Sequence, residues 1–162
     1  DKDTCLIGIG HSLGFQKLNN SGIKFDFLVG LQGFINFCGN DPRRRKIRLR
    51  NLDRIISTFK IDAAGAMKSF CDSCGYSDQI PRNPKTSYLV AELESMKKSY
   101  PYCGSPALII GSDEDTTVPM SIIKDNFQGM KNVIIEEIKG VSHSLGFAKA
   151  DEIVEKIKKV CG

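Results

Sequence analysis

Four short apolar runs, Cys5–Gly10, Phe25–Leu31, Pro106–Gly111 and Asn132–Ile138, are separated and followed by helical patterns. That alternation is what most limits the fold. The runs look like buried strands, and the last is rich in β-branched residues. Strands alternating with helices imply a parallel sheet with helices packed on its faces, so the expected class is α/β. The final segment, Ala148–Val160, carries Ala150, Ile153, Val154, Ile157 and Val160 at helical spacing with Lys and Glu opposite, and should pack on the sheet. Lys85–Lys98 repeats the pattern through Tyr88, Leu89, Leu93 and Met96, and Pro101 follows its end.

The middle of the chain breaks the alternation. From about Asn40 to Pro84 there is no strand-like run; two helical segments, Arg44–Phe59 and Ala63–Cys74, are bracketed by Gly39-Asn40, by Gly75 and by Pro81 to Pro84. The expectation is a helical lid, residues 40–84, inserted into a core made of residues 1–39 and 85–162. A chain of 162 residues is long enough to bury roughly 70% of its unfolded surface as one domain, without a disulfide framework. No run approaches the ~20 apolar residues of a membrane span, and no charged-then-apolar leader opens the chain. Of six cysteines only Cys71 and Cys74 have ligand-like spacing, with no second pair and only two His to complete a tetrahedral site, so zinc is not expected. The expectation is a soluble, cytoplasmic protein with reduced thiols, no metal and no cofactor.

The strand Cys5–Gly10 runs into Gly10-His11-Ser12-Leu13-Gly14, which fits a G-x-S-x-G turn. There a serine occupies a strained backbone conformation at a strand tip, and the residues two before and two after must be tiny for the chain to bend. A serine hydroxyl attacks only when a base takes its proton and an acid holds that base. His11, next to Ser12, should point away from it, which leaves His143 as base, after the fourth strand. The acid should follow the third strand, in Ser112-Asp113-Glu114-Asp115-Thr116-Thr117-Val118-Pro119. Counting back from Val118-Pro119 selects Asp115; counting forward from Gly111 selects Glu114. Asp115 is preferred. The string His-Ser-Leu-Gly-Phe recurs at 143–147, which raises Ser144 with His11 as a rival pair. The second copy has Ser142 where the turn requires Gly and lies beyond its strand, so the repeat reads as coincidence.

With GHSLG after a strand, PALIIGSDEDTTVP and KGVSHSLGF in that order, nearly all of the chain resembles the α/β-hydrolase superfamily. The resemblance implies a partial α/β-hydrolase fold, a parallel sheet flanked by helices with the lid inserted, in which Ser12 is the nucleophile, Asp115 the acid and His143 the base. It implies that Leu13 N–H is one oxyanion donor. It also implies strands before Cys5 and a second donor that this chain lacks. Losing one such donor costs ~10²–10³ in turnover, so the chain alone is expected to be weakly active or inactive, with Cys5–Gly10 left as a bare apolar edge. The lid looks like that of BioH-type pimeloyl-carrier-protein methyl ester esterases, which implies a serine carboxylesterase acting on an acyl ester, on a small molecule or on an acyl carrier protein.

Phe34, Phe37, Phe59 and Phe70 are candidate lining for an acyl channel, with core packing as their other role. Residues 41–60 hold eight basic and two acidic side chains, a local +6 against +4 for the whole chain. Such a face, Arg43, Arg44 and Arg45 foremost, draws acidic partners, an acyl carrier protein among them. No aromatic interleaving accompanies the arginines, so nucleic acid is not expected. The alternative function is a non-catalytic hydrolase-fold module that holds an acidic partner on this basic lid.

Overall fold

The computed structural model describes residues 4–75 and 85–161. Four strands, β1 (Ile7–His11), β2 (Phe27–Leu31), β3 (Ala107–Ser112) and β4 (Val133–Ile138), form one sheet in the order β1-β2-β3-β4, and every pairing is parallel. Between and after them come α1 (Leu13–Asn19), α2 (Pro42–Ile61), α3 (Ala63–Cys74), α4 (Thr86–Ser95), α5 (Met120–Phe127), α6 (Leu145–Ala148) and α7 (Ala150–Cys161). All four expected strands are present, displaced at their ends by one or two residues. Because all run the same way, with His11 opposite Leu31 and Ser112 opposite Ile138, their carboxyl ends share one rim. The segments that follow each strand are therefore delivered to the same edge, however far apart they lie in the chain.

Alternation along the strands supplies two apolar faces. On one, Leu28, Ala107 and Ile109 pack with Phe15 of α1, with Ile122, Ile123 and Phe127 of α5, and with Leu52 and Ile56 of α2. On the other, Val29, Leu31, Leu108, Ile110 and Ile138 pack with Val141, Leu145 and Ile153. Both faces of β2 and β3 are covered, which is why those strands read as nearly unbroken apolar runs. On the first face Gly30 makes room for α1: a Cβ there would lie 2.8 Å from Ile109 Cδ1 and 2.9 Å from Phe15 Cδ2. No described strand pairs with the outer side of β1, where Leu6 and Ile9 are exposed, Ile9 by 56%.

Two amphipathic faces differ from expectation. The expected terminal helix is α7, displaced by one or two residues at its ends, and in it only Ile153 is buried, with Ile157 and Val160 partly so; Val154 and Ala150 face solvent. The helix meets the sheet along a narrower stripe than its apolar positions offer. In α4, Met96 just beyond the helix is buried and Leu93 partly so, but Tyr88 is exposed and its hydroxyl accepts from Lys17 Nζ at 3.3 Å. Its phenol is polar at the tip, and α4 packs on α2.

Between β2 and β3 the chain is helical where expected. Asp41 caps α2 by accepting from Arg44 N–H at 2.8 Å, with Pro42 in the first turn, where a missing N–H costs nothing. Asp62 ends α2 and begins α3, accepting from Gly65 N–H at 2.9 Å. Gly75, at φ 82°, closes α3 in the left-handed conformation that glycine adopts without steric cost. The expected turn at Pro81 to Pro84 lies outside the described residues.

Candidate active site

Ser12 follows β1 with φ 53° and ψ −123°. Such a backbone costs about 1–3 kcal/mol in a residue with a Cβ and persists only where its surroundings hold it. Here they do so from both sides. Ser12 N–H donates to Leu31 C=O at 2.9 Å, and Phe15 N–H donates to Ser12 C=O at 3.1 Å. Gly10 completes the turn, because a Cβ there would sit 2.7 Å from both N and Cα of Phe15, backbone atoms that no rotamer can move. Gly14 differs: a Cβ would meet nothing within 4 Å. The expectation that both glycines must be tiny therefore holds for Gly10 alone, since α1 leaves the turn with Gly14 facing open space.

His143 lies in the segment between β4 and α6, and its Nδ1 is 2.8 Å from Asp115 Oδ2. Both residues are buried, 3% and 2% exposed. Asp115 Oδ1 accepts from Thr117 N–H at 2.8 Å and Val118 N–H at 2.9 Å. A carboxylate serving those donors accepts at Oδ2 as well, so Nδ1 of His143 carries the proton and Nε2 is left free to act as a base. Burial works against the charge on Asp115, yet the His143 bond and charge, with the Val118 and Thr117 N–H groups, outweigh it and hold the carboxyl below its ordinary range. Glu114, the alternative acid, is exposed. Leu13 opens α1, so its N–H is among the donors a helix leaves unused at its start.

His11 packs against the segment that carries His143. Its ring centroid is 4.6 Å from that of His143, and its Nε2 lies 3.1 Å from both His143 C=O and Gln32 Oε1. Burial first, then the neighbouring His143 ring, pushes its pKa below the ordinary value, against smaller opposing effects from Gln32, the His143 carbonyl and Asp115. Gln32 was not singled out in the sequence. Its signal there is faint: a polar residue directly after an apolar strand. The second His-Ser-Leu-Gly-Phe copy takes another shape, with Ser144 at φ −99° and Phe147 72% exposed, whereas Phe15 of the first copy is fully buried.

An open groove of about 590 Å³ runs between α2, α3 and the segment after Asp115, with Thr116, Thr117 and Pro119 on its wall. Phe37, Phe59 and Phe70, three of the four candidate phenylalanines, line it. Phe34 does not. It is fully buried in the core beneath Phe37, 5.2 Å between ring centroids, and its role is packing. The Phe70 ring also meets His143 edge-on at 6.4 Å, which joins the groove to the His143–Asp115 pair. The basic cluster is divided as well. Arg44 and Arg48 both pair with Asp125, and Arg45 donates to Lys97 C=O at 3.1 Å. Arg43, Lys46 and Arg50 are exposed, without a partner among the described residues.

No family model and no curated protein matches the chain. Solved structures do. The sheet, its flanking helices and their order are a partial α/β-hydrolase fold. The chain is similar to an esterase from Exiguobacterium antarcticum (TM-score 0.72, 12% identity, 94% of this chain and 65% of that one). It is similar to an α/β-hydrolase enzyme from a Medee basin deep-sea metagenome library (TM-score 0.66, 14% identity, 93% and 62%) and to a bromoperoxidase from Bacillus anthracis (TM-score 0.63, 17% identity, 94% and 65%). It thus spans just under two thirds of their length.

The glycine contacts separate two substitutions. Gly10→Ala should lower unfolding stability by about 1–3 kcal/mol or more in urea denaturation, from overpacking against backbone. Gly14→Ala should be neutral or stabilising by up to about 1 kcal/mol. Acid should also weaken the fold. A His held below its ordinary pKa of about 6.5 favours folding above that value, and the contribution is lost as pH falls toward the folded-state pKa, because the unfolded chain binds the proton more readily. The melting temperature should drop from pH 7 to pH 5, and His11→Gln should flatten that slope; a drop of equal size in the variant would remove His11 as its source.

Proposed function

We propose that the chain is the nucleophile-bearing part of a serine ester hydrolase. The observation that carries the reading is the strained Ser12 at the tip of β1, on the same sheet rim as a buried His143 whose Nδ1–H is fixed on Asp115. The likeness to esterases and hydrolases of the same fold supports it.

Ser12 Oγ attacks the ester carbonyl carbon while His143 Nε2 takes its proton. Asp115 holds the ring and stabilises the imidazolium. Charge gathers on the carbonyl oxygen, where Leu13 N–H is one donor; the second comes from chain that would precede β1. As the tetrahedral centre collapses, the C–O bond to the alcohol breaks and the imidazolium proton goes to the leaving oxygen. Water then attacks the acyl-enzyme, His143 takes its proton and returns it to Ser12 Oγ, and the acid is released. Residues 40–84 act as a lid, and the acyl chain lies along Phe37, Phe59 and Phe70, whose faces take it out of water.

The most specific form of the reading is a methyl ester on an acyl chain held by an acidic carrier protein, as in BioH-type enzymes. Its docking face is the part of α2 that has charge to spare, Arg43, Lys46 and Arg50, more than Arg44 or Arg45, which already serve Asp125 and Lys97 C=O. Rim charges of this kind act mainly on encounter rate and salt dependence.

In the full-length protein, Ser12→Ala should cut hydrolysis of a p-nitrophenyl ester by at least about 10⁴-fold while leaving the melting temperature within a few degrees. Ester hydrolysis that survives the change rejects the reading. Replacing Arg43, Lys46 and Arg50 together by Glu should lower kcat/KM on a carrier-protein ester and spare the p-nitrophenyl ester; equal losses on both count against docking.

A further inference from the structure

Among the described residues only Ser12 and Gln32 have a side chain and a positive φ, 53° and 51°. They sit side by side at the tips of paired strands, one position beyond the His11–Leu31 pair. The strain at Ser12 belongs to its turn. The strain at Gln32 has no part in the chemistry described above, and Gln32 is fully buried. What holds it is a set of bonds whose polarity is fixed by backbone carbonyls. Ser142 C=O can only accept, so the nitrogen of the Gln32 amide faces it, at 2.7 Å, and also donates to Ser112 Oγ at 2.8 Å. The amide oxygen then faces His11 Nε2 at 3.1 Å. His143 C=O, also only an acceptor, lies 3.1 Å from that same nitrogen, so His11 Nε2 carries the proton and shares it between Gln32 Oε1 and His143 C=O. Ser112 adds a second donor to Ser142 C=O at 3.3 Å.

Side chains from the ends of β1, β2 and β3 thus take the carbonyls of two successive residues, Ser142 and His143, in the segment that carries the base. We infer that His11 and Gln32 are positioning residues that clamp this segment by its backbone and so aim the His143 ring at Asp115 and toward Ser12. The inference deepens the esterase reading and rests on it for the catalytic meaning of that aim. The groups that face the His11 ring are His143, Gln32 and, at longer range, the Asp115 charge. None replaces the donor that His11 supplies. From its left-handed backbone beyond β2, the Gln32 amide reaches the tips of β1 and β3 and the segment after β4 at once.

The test reads His143 directly and needs no activity. With two His in the chain, and their protons placed on different ring nitrogens, the Nδ1–H of His143 is assignable by ¹⁵N-resolved NMR in the purified full chain. In His11→Leu and Gln32→Met that proton should exchange with solvent at least about tenfold faster than in the parent. His11→Gln places an amide nitrogen where Nε2 was, and exchange should return to within about twofold of the parent value. Unchanged exchange in His11→Leu overturns the inference, and so does fast exchange in His11→Gln, which would show that ring shape matters and not the donated bond. Should Gln32→Met fail to fold, the two His11 variants decide alone. On the ester substrate, His11→Leu should lower kcat by about 10- to 100-fold with KM within twofold, since the ring is misaimed while the groove is intact. The NMR result with no esterase activity in the full-length protein would keep the clamp and reject only the function; activity in the full-length protein with unchanged exchange would do the reverse.

Discussion

The approach of the Phe15 backbone to Gly10, where a Cβ would lie 2.7 Å from Phe15 N and Cα, leaves no room for a side chain. It forces the chain to turn back on itself within five residues, and the Phe15 ring then enters the core between Gly30, Gly33 and Phe127. One aromatic side chain therefore ties the first helix to the sheet and keeps Ser12 in a conformation it would otherwise leave. The strain at the rim is balanced by apolar burial beneath it, so the site cannot be separated from the core that carries it. The same logic governs Asp115. Its burial would be prohibitive were its oxygens not taken by two backbone N–H groups and an imidazole, and those bonds set its charge and the tautomer of His143 together.

The parallel sheet turns these local devices into one site. Successive crossovers return each strand to the same direction, so Ser12, Gln32, Asp115 and His143 all follow carboxyl ends, and loops that share no sequence neighbourhood share a rim. Around that rim the polar groups are mutually satisfied; among the described residues no buried side-chain polar atom lacks a partner. The helices between β2 and β3 add an apolar wall. Phe70, which approaches His143, brings that wall to the His143–Asp115 pair, and the Ser142 hydroxyl donates to Cys74 C=O at the end of α3, so the helical segment is hydrogen-bonded to the segment that carries His143.

Much of this was legible. The strands, the long helices of the middle segment and the turn around Ser12 follow from short-range patterns, since apolar alternation, capping residues and glycine each act within a few positions. What was misjudged depends on distant partners. Phe34 and Phe37 have the same chemistry, three residues apart, and only the packing of the core makes one a buried wedge and the other a groove wall. Arg44 and Arg45 read as free charge because Asp125 and the Lys97 carbonyl lie far along the chain.

The pentapeptide His-Ser-Leu-Gly-Phe, present twice, marks the boundary. By itself the sequence determined that one copy could form a sharp turn, because a strand and Gly10 precede it, and that the other could not, because Ser142 has a Cβ. Only the tertiary structure decided that the two histidines pack against each other and that Gln32 bridges between the segments bearing them. The physical reason is reach: a turn is set by sterics between near neighbours, whereas a hydrogen bond between strand tips exists only after the sheet has brought them together.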